Sequence, residues 1–512
     1  MHSSNFFCTF AAKLILQHNV MKKSLKISLW VIGGLVVLGV LVMTCLDIVV
    51  SRIAEKEARK AIAEAQLPYT IEFGRIHVFA TTGFVDVEDI HFAANNKSIK
   101  GVDTLDVFVP SVTVGHIKYM DLLRKKRVSI NAVRVQKACL TYKQKGSKLL
   151  AKVDSASVEL RDLFYSLKDS TYGYSDSVYE VSVRHASMIM PDGLMAMEVN
   201  KLHHEDGGVI TLGKTRIHHT VGKRELSGIL HEPCSWLDLS LKSVEISPMN
   251  PFREDFSKGL HIKQINVVGD KMATLRDARL KPSKPYQMPQ RIIMAMGFPI
   301  KIDKVAFDMP KLNVEVLVAD KNCGELQLDK INATIADFSN KKGSVMKVAL
   351  AANLGGSLIN GDFKMYMNDA CRFDMAMEGK NVQASSLTNL LRPLTAIELN
   401  CQIDSMRAKY TGDEIKANGT VMMAYHNLQG KVYKADEIPF KIISQNAGAI
   451  EYFVNHLIPK SNPRNDSKAP LVFNVEWVRK DDQPFPLYMV GPLIMGAVET
   501  FLPGLFGGKK VK

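Results

Sequence analysis

The spacing of apolar positions along this chain changes period twice. From Ile27 to Leu46 no residue is charged, and twenty residues at the helical rise measure about 30 Å, the thickness of a bilayer core. This predicts a membrane-spanning helix. The apolar core of a cleavable leader is shorter and ends in small residues, whereas Asp47, Ile48, Val49 and Val50 follow here. Residues 47–66 are rich in helix formers without proline or glycine, so the helix is expected to continue as a polar juxtamembrane segment until Leu67-Pro68 stops it.

Beyond Pro68 the period becomes two, as in strands with one buried side. Met188 and Met190, a Pro191-Asp192-Gly193 turn, then Met195 and Met197 predict a hairpin. Phe363, Met365 and Met367, a turn at Asn368-Asp369, then Phe373, Met375 and Met377 predict another. Segments such as Ile130–Val135, Ile262–Val267 and Ile302–Phe307 place apolar residues at i, i+3 and i+5, a break in alternation of the kind a β-bulge makes. Irregular copies of one strand-loop unit imply a mainly β fold, an elongated, bent antiparallel sheet with a groove. Helical spacing returns at Gln445–Leu457, and after a strand at Leu471–Val478 the stretch 483–508 is apolar with one charge, Glu499. Pro486, Pro492 and Pro503 interrupt that stretch, leaving Pro492–Leu502 as its longest expected helix, too short to span. The domain plan is then a basic segment 1–26, a span 27–46, a juxtamembrane helix 47–66, a β body 67–435 and a helix-strand region 436–512.

The chain has 66 basic and 52 acidic residues, a net +14. Half of that charge is in the tails: Lys13, Lys22, Lys23 and Lys26 before the span, and Lys509, Lys510 and Lys512 at the end. The β body is close to neutral, and no nucleic-acid motif accompanies it. Lysines just before the span favour a cytoplasmic N-terminus. Arg124, Lys125, Lys126 and Arg127 form the one internal basic run, a candidate contact for anionic head groups or a solvated loop.

Seven cysteines without a C-x-x-C pair argue against a disulfide scaffold or a cysteine-built zinc site. No nucleophile elbow, phosphate loop, dinucleotide fingerprint or H-E-x-x-H occurs, so neither an enzyme nor a cofactor is expected. His203-His204 and His218-His219 are adjacent pairs, and on a strand adjacent side chains point to opposite sides, which prevents chelation. The 24 methionines cluster as Met-x-Met on single strand faces. Met188, Met190, Met195, Met197, Phe363, Met365, Met367, Phe373, Met375 and Met377 therefore become candidate lipid-facing residues. A buried core leaves the same alternation.

The single span, the juxtamembrane helix and strand units such as Val85–Phe92 and Leu122–Tyr142 resemble the AsmA-like family of bacterial envelope proteins. Lys380–Gly430 is similar to that family's C-terminal block, with a short helix at Leu387–Leu391, a strand from Gly419 through Val421, and a close at Tyr425 and Leu428. The resemblance implies an inner-membrane anchor, a periplasmic β groove for phospholipid acyl chains, a role in outer-membrane lipid homeostasis or assembly, and no catalytic residues. The alternative is a non-transporting scaffold that binds another envelope protein. The apolar stretch near the C-terminus docks on a membrane or a partner in these readings, or caps its own groove.

Overall fold

A computed structural model describes residues 23–510 apart from 66, 68, 81, 119–120, 122–123, 125, 167, 169–171, 175–178, 206, 248–258, 321, 435–444, 464–468 and 502–508. The fold is mainly β and opens with one long apolar helix. Two compact units are present, Met1–Lys145 with Asp154–Glu180, and Gly146–Val153 with Val181–Lys512.

In the first unit, α1 (Lys23–Glu64) joins the expected span and juxtamembrane segment into one helix. It is long and apolar enough to cross a membrane, and its large apolar side chains from Val36 to Leu46 are 48–61% exposed. The strands that follow are β1 (Thr70–Glu72), β2 (Ile76–Phe79), β3 (Phe84–Asn95), β4 (Val102–Ile117), β5 (Arg127–Gln144), most of β6 (Leu150–Ser166), and β7 (Tyr172–Tyr174). Both β1 and β2 pair antiparallel with β3, β3 pairs antiparallel with β4, and β4 pairs antiparallel with β5. Asp89 and Lys137 adopt left-handed φ angles of 51° and 52°, and the register places Pro110 between them. On crossing this row the apolar positions change from odd to even in β3 and β5. A left-handed residue disturbs a period of two in this way.

The second unit contains most of β8 (Tyr179–Ile189), then β9 (Met195–Glu205), β10 (Ile210–Leu212), β11 (Thr215–His219), α2 (Leu226–Leu230), β12 (Ser235–Ile246) and β13 (Leu260–Asp277). Then come α3 (Pro289–Met294), β14 (Ile300–Ala319), β15 (Asn322–Ser339), β16 (Val345–Leu354), β17 (Ser357–Tyr366) and β18 (Phe373–Gln383). The unit closes with α4 (Thr388–Thr395), β19 (Ile397–Gly412), β20 (Lys416–Val432), α5 (Ala447–His456), β21 (Val472–Val478), α6 (Phe485–Phe501) and β22 (Lys509–Lys510).

The sheet is mixed rather than wholly antiparallel, because β13 and β14 run parallel, Ile262 beside Ile302 and Leu275 beside Glu315. Parallel neighbours cannot be joined by a tight hairpin, and here the connection containing α3 carries the chain back. Its start is fixed by Asp277, which is 1% exposed. The Asp277 carboxylate accepts from Ser227 Oγ at 2.5 Å and from Arg279 Nη2 at 2.6 Å.

One side of the sheet is closed by helices. Phe363, Met365, Met367, Phe373, Met375 and Tyr410 form a buried cluster with Tyr488 and Met495 of α6, and with Met288 beside α3. Farther along, Ile403, Met423, Tyr425 and Leu428 pack with Val454 of α5, and Phe501 of α6 reaches this second cluster too. Helix α6 begins at Phe485 and contains Pro492, whereas the sequence pattern predicted a start at that proline. Losing the bond to the Tyr488 carbonyl is outweighed by packing, since glycines at 491 and 496 seat the helix directly on the sheet. A Cβ at Gly491 would lie 2.4 Å from Trp477, and one at Gly496 would lie 2.3 Å from Val421. The six described cysteines are free, and burial pushes the Cys401 thiol up to about 11.

Two expected outcomes follow from this packing. Gly496→Leu drives a side chain into Val421 and destabilises the second unit by about 1–3 kcal/mol, read by urea unfolding with Trp477 as reporter. Hydrogen bonding from Arg279, then from Ser227, holds the Asp277 carboxyl down at about 2. Its contribution is therefore complete above the ordinary carboxyl range and is lost as pH falls through about 2. Asp277→Asn removes that acid dependence and costs about 2 kcal/mol at neutral pH, measured by the same unfolding series repeated from pH 7 to pH 2.

Candidate functional site

The expected lipid-facing residues divide into two groups. Phe363, Met365, Met367, Phe373 and Met375 are at most 9% exposed, with Met377 at the edge of their cluster. The register sets Met365 opposite Phe373 and Phe363 opposite Met375, in the predicted hairpin. Phe373 meets Phe485 and Tyr488 of α6 edge-on, with ring centroids 5.6 Å apart in both pairs. The surface of this hairpin is thus taken up by the chain's own C-terminal helix. Met188, Met190, Met195 and Met197 are half-buried, and their turn closes as predicted, with Met190 N donating to the Met195 carbonyl at 2.8 Å. Met197 lies opposite Ile217.

Arg124 and Lys126 are exposed, Arg127 stacks over the Phe164 ring at 3.5 Å, and Lys125 lies outside the described residues. Of the histidine pairs, His203 and His204 are on β9, and His218 and His219 on β11. Among the described residues no group of three metal-ligating side chains converges.

The first unit holds an apolar surface that the methionine pattern did not indicate. On β4, Leu105, Val107, Val109, Val112 and Val114 are flanked in register by Ile90 and Phe92, Val85 and Val87 of β3. On the other flank stand Val133 and Val135, Leu140 and Tyr142 of β5. None of these thirteen is buried and none fully exposed. Among the described residues the three buried hydrophobic clusters all fall in the second unit. Over Leu105–Val114 the apolar positions extend about 30 Å at the strand rise, the thickness of a bilayer core. Among the alternate positions, Ser111 and Thr113 donate to Asp86 at 2.8 and 2.9 Å and Arg134 to Glu159 at 3.0 Å, while Phe108 is exposed. Hydrogen bonding by both Arg134 and Arg161 lowers the Glu159 pKa, so these partners keep it charged.

This sheet is clamped to α1. Asp47 accepts from Ala80 N at 3.0 Å, and Ser51 Oγ accepts from Val78 N at 2.8 Å. Arg59 donates to the Phe73 and Gly74 carbonyls at 3.1 and 2.8 Å, and its guanidinium lies 4.4 Å from the centre of the Phe73 ring. Glu55 steadies Arg59 at 2.9 Å. Asp47, Ser51, Glu55 and Arg59 are spaced by four, so they form one stripe along the helix. That spacing is the sequence signal that marks the clamp, and the run of alternating valines in Val102–Val114 is the one that marks the apolar surface.

No known family, characterised protein or solved structure matches this chain.

Each charge-assisted bond in the clamp is expected to contribute about 1.5–3 kcal/mol. Arg59→Ala combined with Ser51→Ala should speed protease cleavage at residues 65–69 of the protein held in vesicles, while the β circular-dichroism signal is retained. Unchanged cleavage would mean that the stripe does not fix the helix to the sheet.

Proposed function

We propose that the first unit holds the acyl chains of phospholipid on its apolar strand surface, at the exit of a membrane-spanning helix, as part of an envelope protein of AsmA-like type. The observation that carries this reading is the set of thirteen half-buried apolar side chains in register on β3, β4 and β5. Covering such side chains fully contributes up to roughly 1.5–3 kcal/mol each, so leaving them open needs a cause. A hydrocarbon chain supplies the missing contact without requiring any hydrogen bond, and the strands offer none, since their backbone groups are paired across the sheet. The clamp to α1 supports the same reading by holding the surface next to the segment that enters the bilayer.

No proton transfer or bond cleavage enters this function. The chain's part is to exclude water from the acyl chain while the polar side, satisfied by Asp86, Ser111, Thr113 and Arg134, stays solvated. The body is assigned to the periplasmic side of an inner membrane by the lysines before the span and by the resemblance.

A photo-reactive p-benzoylphenylalanine in place of Val107 in the full chain should capture phospholipid in cell membranes, while the same group in place of Arg134, on the polar side, should not. Capture of a polypeptide at Val107 would replace lipid holding with the scaffold reading. Val112→Glu should reduce the lipid that co-purifies with the detergent-extracted protein, measured by mass spectrometry against phosphorus content.

A further inference from the structure

The side of the second unit's sheet away from the helices holds a hollow of about 450 Å³ over β17 to β20, a size that takes a small organic molecule. Its floor is Ala376, which alternates with the buried Met375 and lies in register between Asp362 of β17 and Lys409 of β19. In the next row Glu378 of β18 lies directly opposite Arg407 of β19. All four charged side chains line the hollow, with the two carboxylates on β17 and β18 and the two cations on β19. Glu378 and Arg407 are placed for a cross-strand ion pair, yet among the described residues none of the four makes an ion pair or a side-chain hydrogen bond. Nearby on the same side such charges are paired. Asp374 and Glu476, one row farther along, meet Arg372 and Lys416 at 3.5 and 3.4 Å, and Lys347 meets Asp337 at 3.1 Å. In the hollow, both signs are left open side by side.

We propose that this hollow binds a zwitterion that joins a primary ammonium group to a phosphate, the chemistry of phosphoethanolamine, with the ammonium on Asp362 and Glu378 and the phosphate on Arg407 and Lys409. A ligand of one sign would satisfy one pair and be repelled by the other, so the arrangement selects a molecule that carries both. A primary ammonium brings three N–H donors to two carboxylates that can only accept. A quaternary ammonium has no N–H and is held by aromatic faces instead, and no aromatic ring lines this hollow. On the other flank the planar fork of Arg407 and the ammonium of Lys409 suit the several oxygens of a phosphate. Thr420, in register beside Lys409, adds a hydroxyl donor. The carbons between the two charges need only apolar contact, which Ala376 and Met422 supply. A free phosphomonoester and a lipid head group share this chemistry, and the second ester on the phosphate tells them apart. The inference concerns the second unit alone and does not rest on acyl chains being held in the first.

The test titrates the full chain, purified in an uncharged detergent, with phosphoethanolamine, glycerophosphoethanolamine, phosphocholine and inorganic phosphate, and reads binding by calorimetry. Phosphoethanolamine is expected to bind saturably, with phosphocholine and phosphate weaker by about tenfold or more for want of the hydrogen bonds to the carboxylates. Binding of glycerophosphoethanolamine as well traces the ligand to a lipid head group, and binding of the monoester alone traces it to a free metabolite; both support the site. Glu378→Gln and Arg407→Gln, at exposed positions, should each weaken binding by about tenfold while leaving the circular-dichroism spectrum unchanged. Lys416→Gln, on the same side but outside the hollow, should leave the affinity as it is. The proposal is overturned if neither ethanolamine compound binds saturably, if phosphocholine or phosphate binds as tightly as phosphoethanolamine, or if Glu378→Gln and Arg407→Gln keep full affinity. Because this binding and lipid capture at Val107 are read separately, failure of one leaves the other result standing.

Discussion

A strand sequence with period two makes a sheet with one apolar side, and that side has to be kept from water. The rest of this molecule depends on how each unit meets that constraint. Over β16 to β20 of the second unit the chain supplies its own cover. Helices α3 to α6 lie on the sheet, and the two large buried clusters sit beneath them. In the first unit the same kind of alternation is present, with valine instead of methionine, yet the thirteen apolar side chains in register on β3, β4 and β5 stop at half burial. Their strands hold together through ladder hydrogen bonds and through the satisfied polar side. The difference between a closed core and a half-open surface therefore lies in what covers the strands rather than in the strands themselves.

That is also why the sequence could be read only so far. The span, the β body, the hairpin from Phe363 to Met377 and the strand before the C-terminal apolar stretch were legible, because each follows from local spacing and turn chemistry. Whether Met365 and Met375 face lipid or core was not legible, since the answer rests on α6, far along the chain, and on the two glycines that seat it. The valine positions of β4 carried the same alternation but no feature to set them apart from any half-buried strand. Strand direction is equally silent in a local pattern. The parallel pairing of β13 and β14 comes from the length of the connection through α3, and from Asp277 and Arg279 fixing where that connection begins.

Helix α6 shows how little its composition settles alone. A helix that is apolar all round is either buried among other elements or immersed in lipid. This one meets the sheet through Tyr488, Gly491, Met495 and Gly496 and turns Leu487, Val490 and Ile494 away from it. Glu499 sits on the inner side, so even its one carboxylate adds nothing to the outer surface.

The stripe Asp47, Ser51, Glu55 and Arg59 has a mechanical meaning. A membrane anchor joined to its domain by a loose linker acts as a leash, and the domain is free to spin and tip. Here successive turns of one helix face are fastened to Ala80, Val78, Gly74 and Phe73 in order. Turning the helix by one residue, about 100°, would carry the whole stripe away from the strands. The span therefore behaves as an axle keyed to the sheet. Whatever sets the tilt and height of the helix therefore also sets the angle and height at which the valine surface is presented.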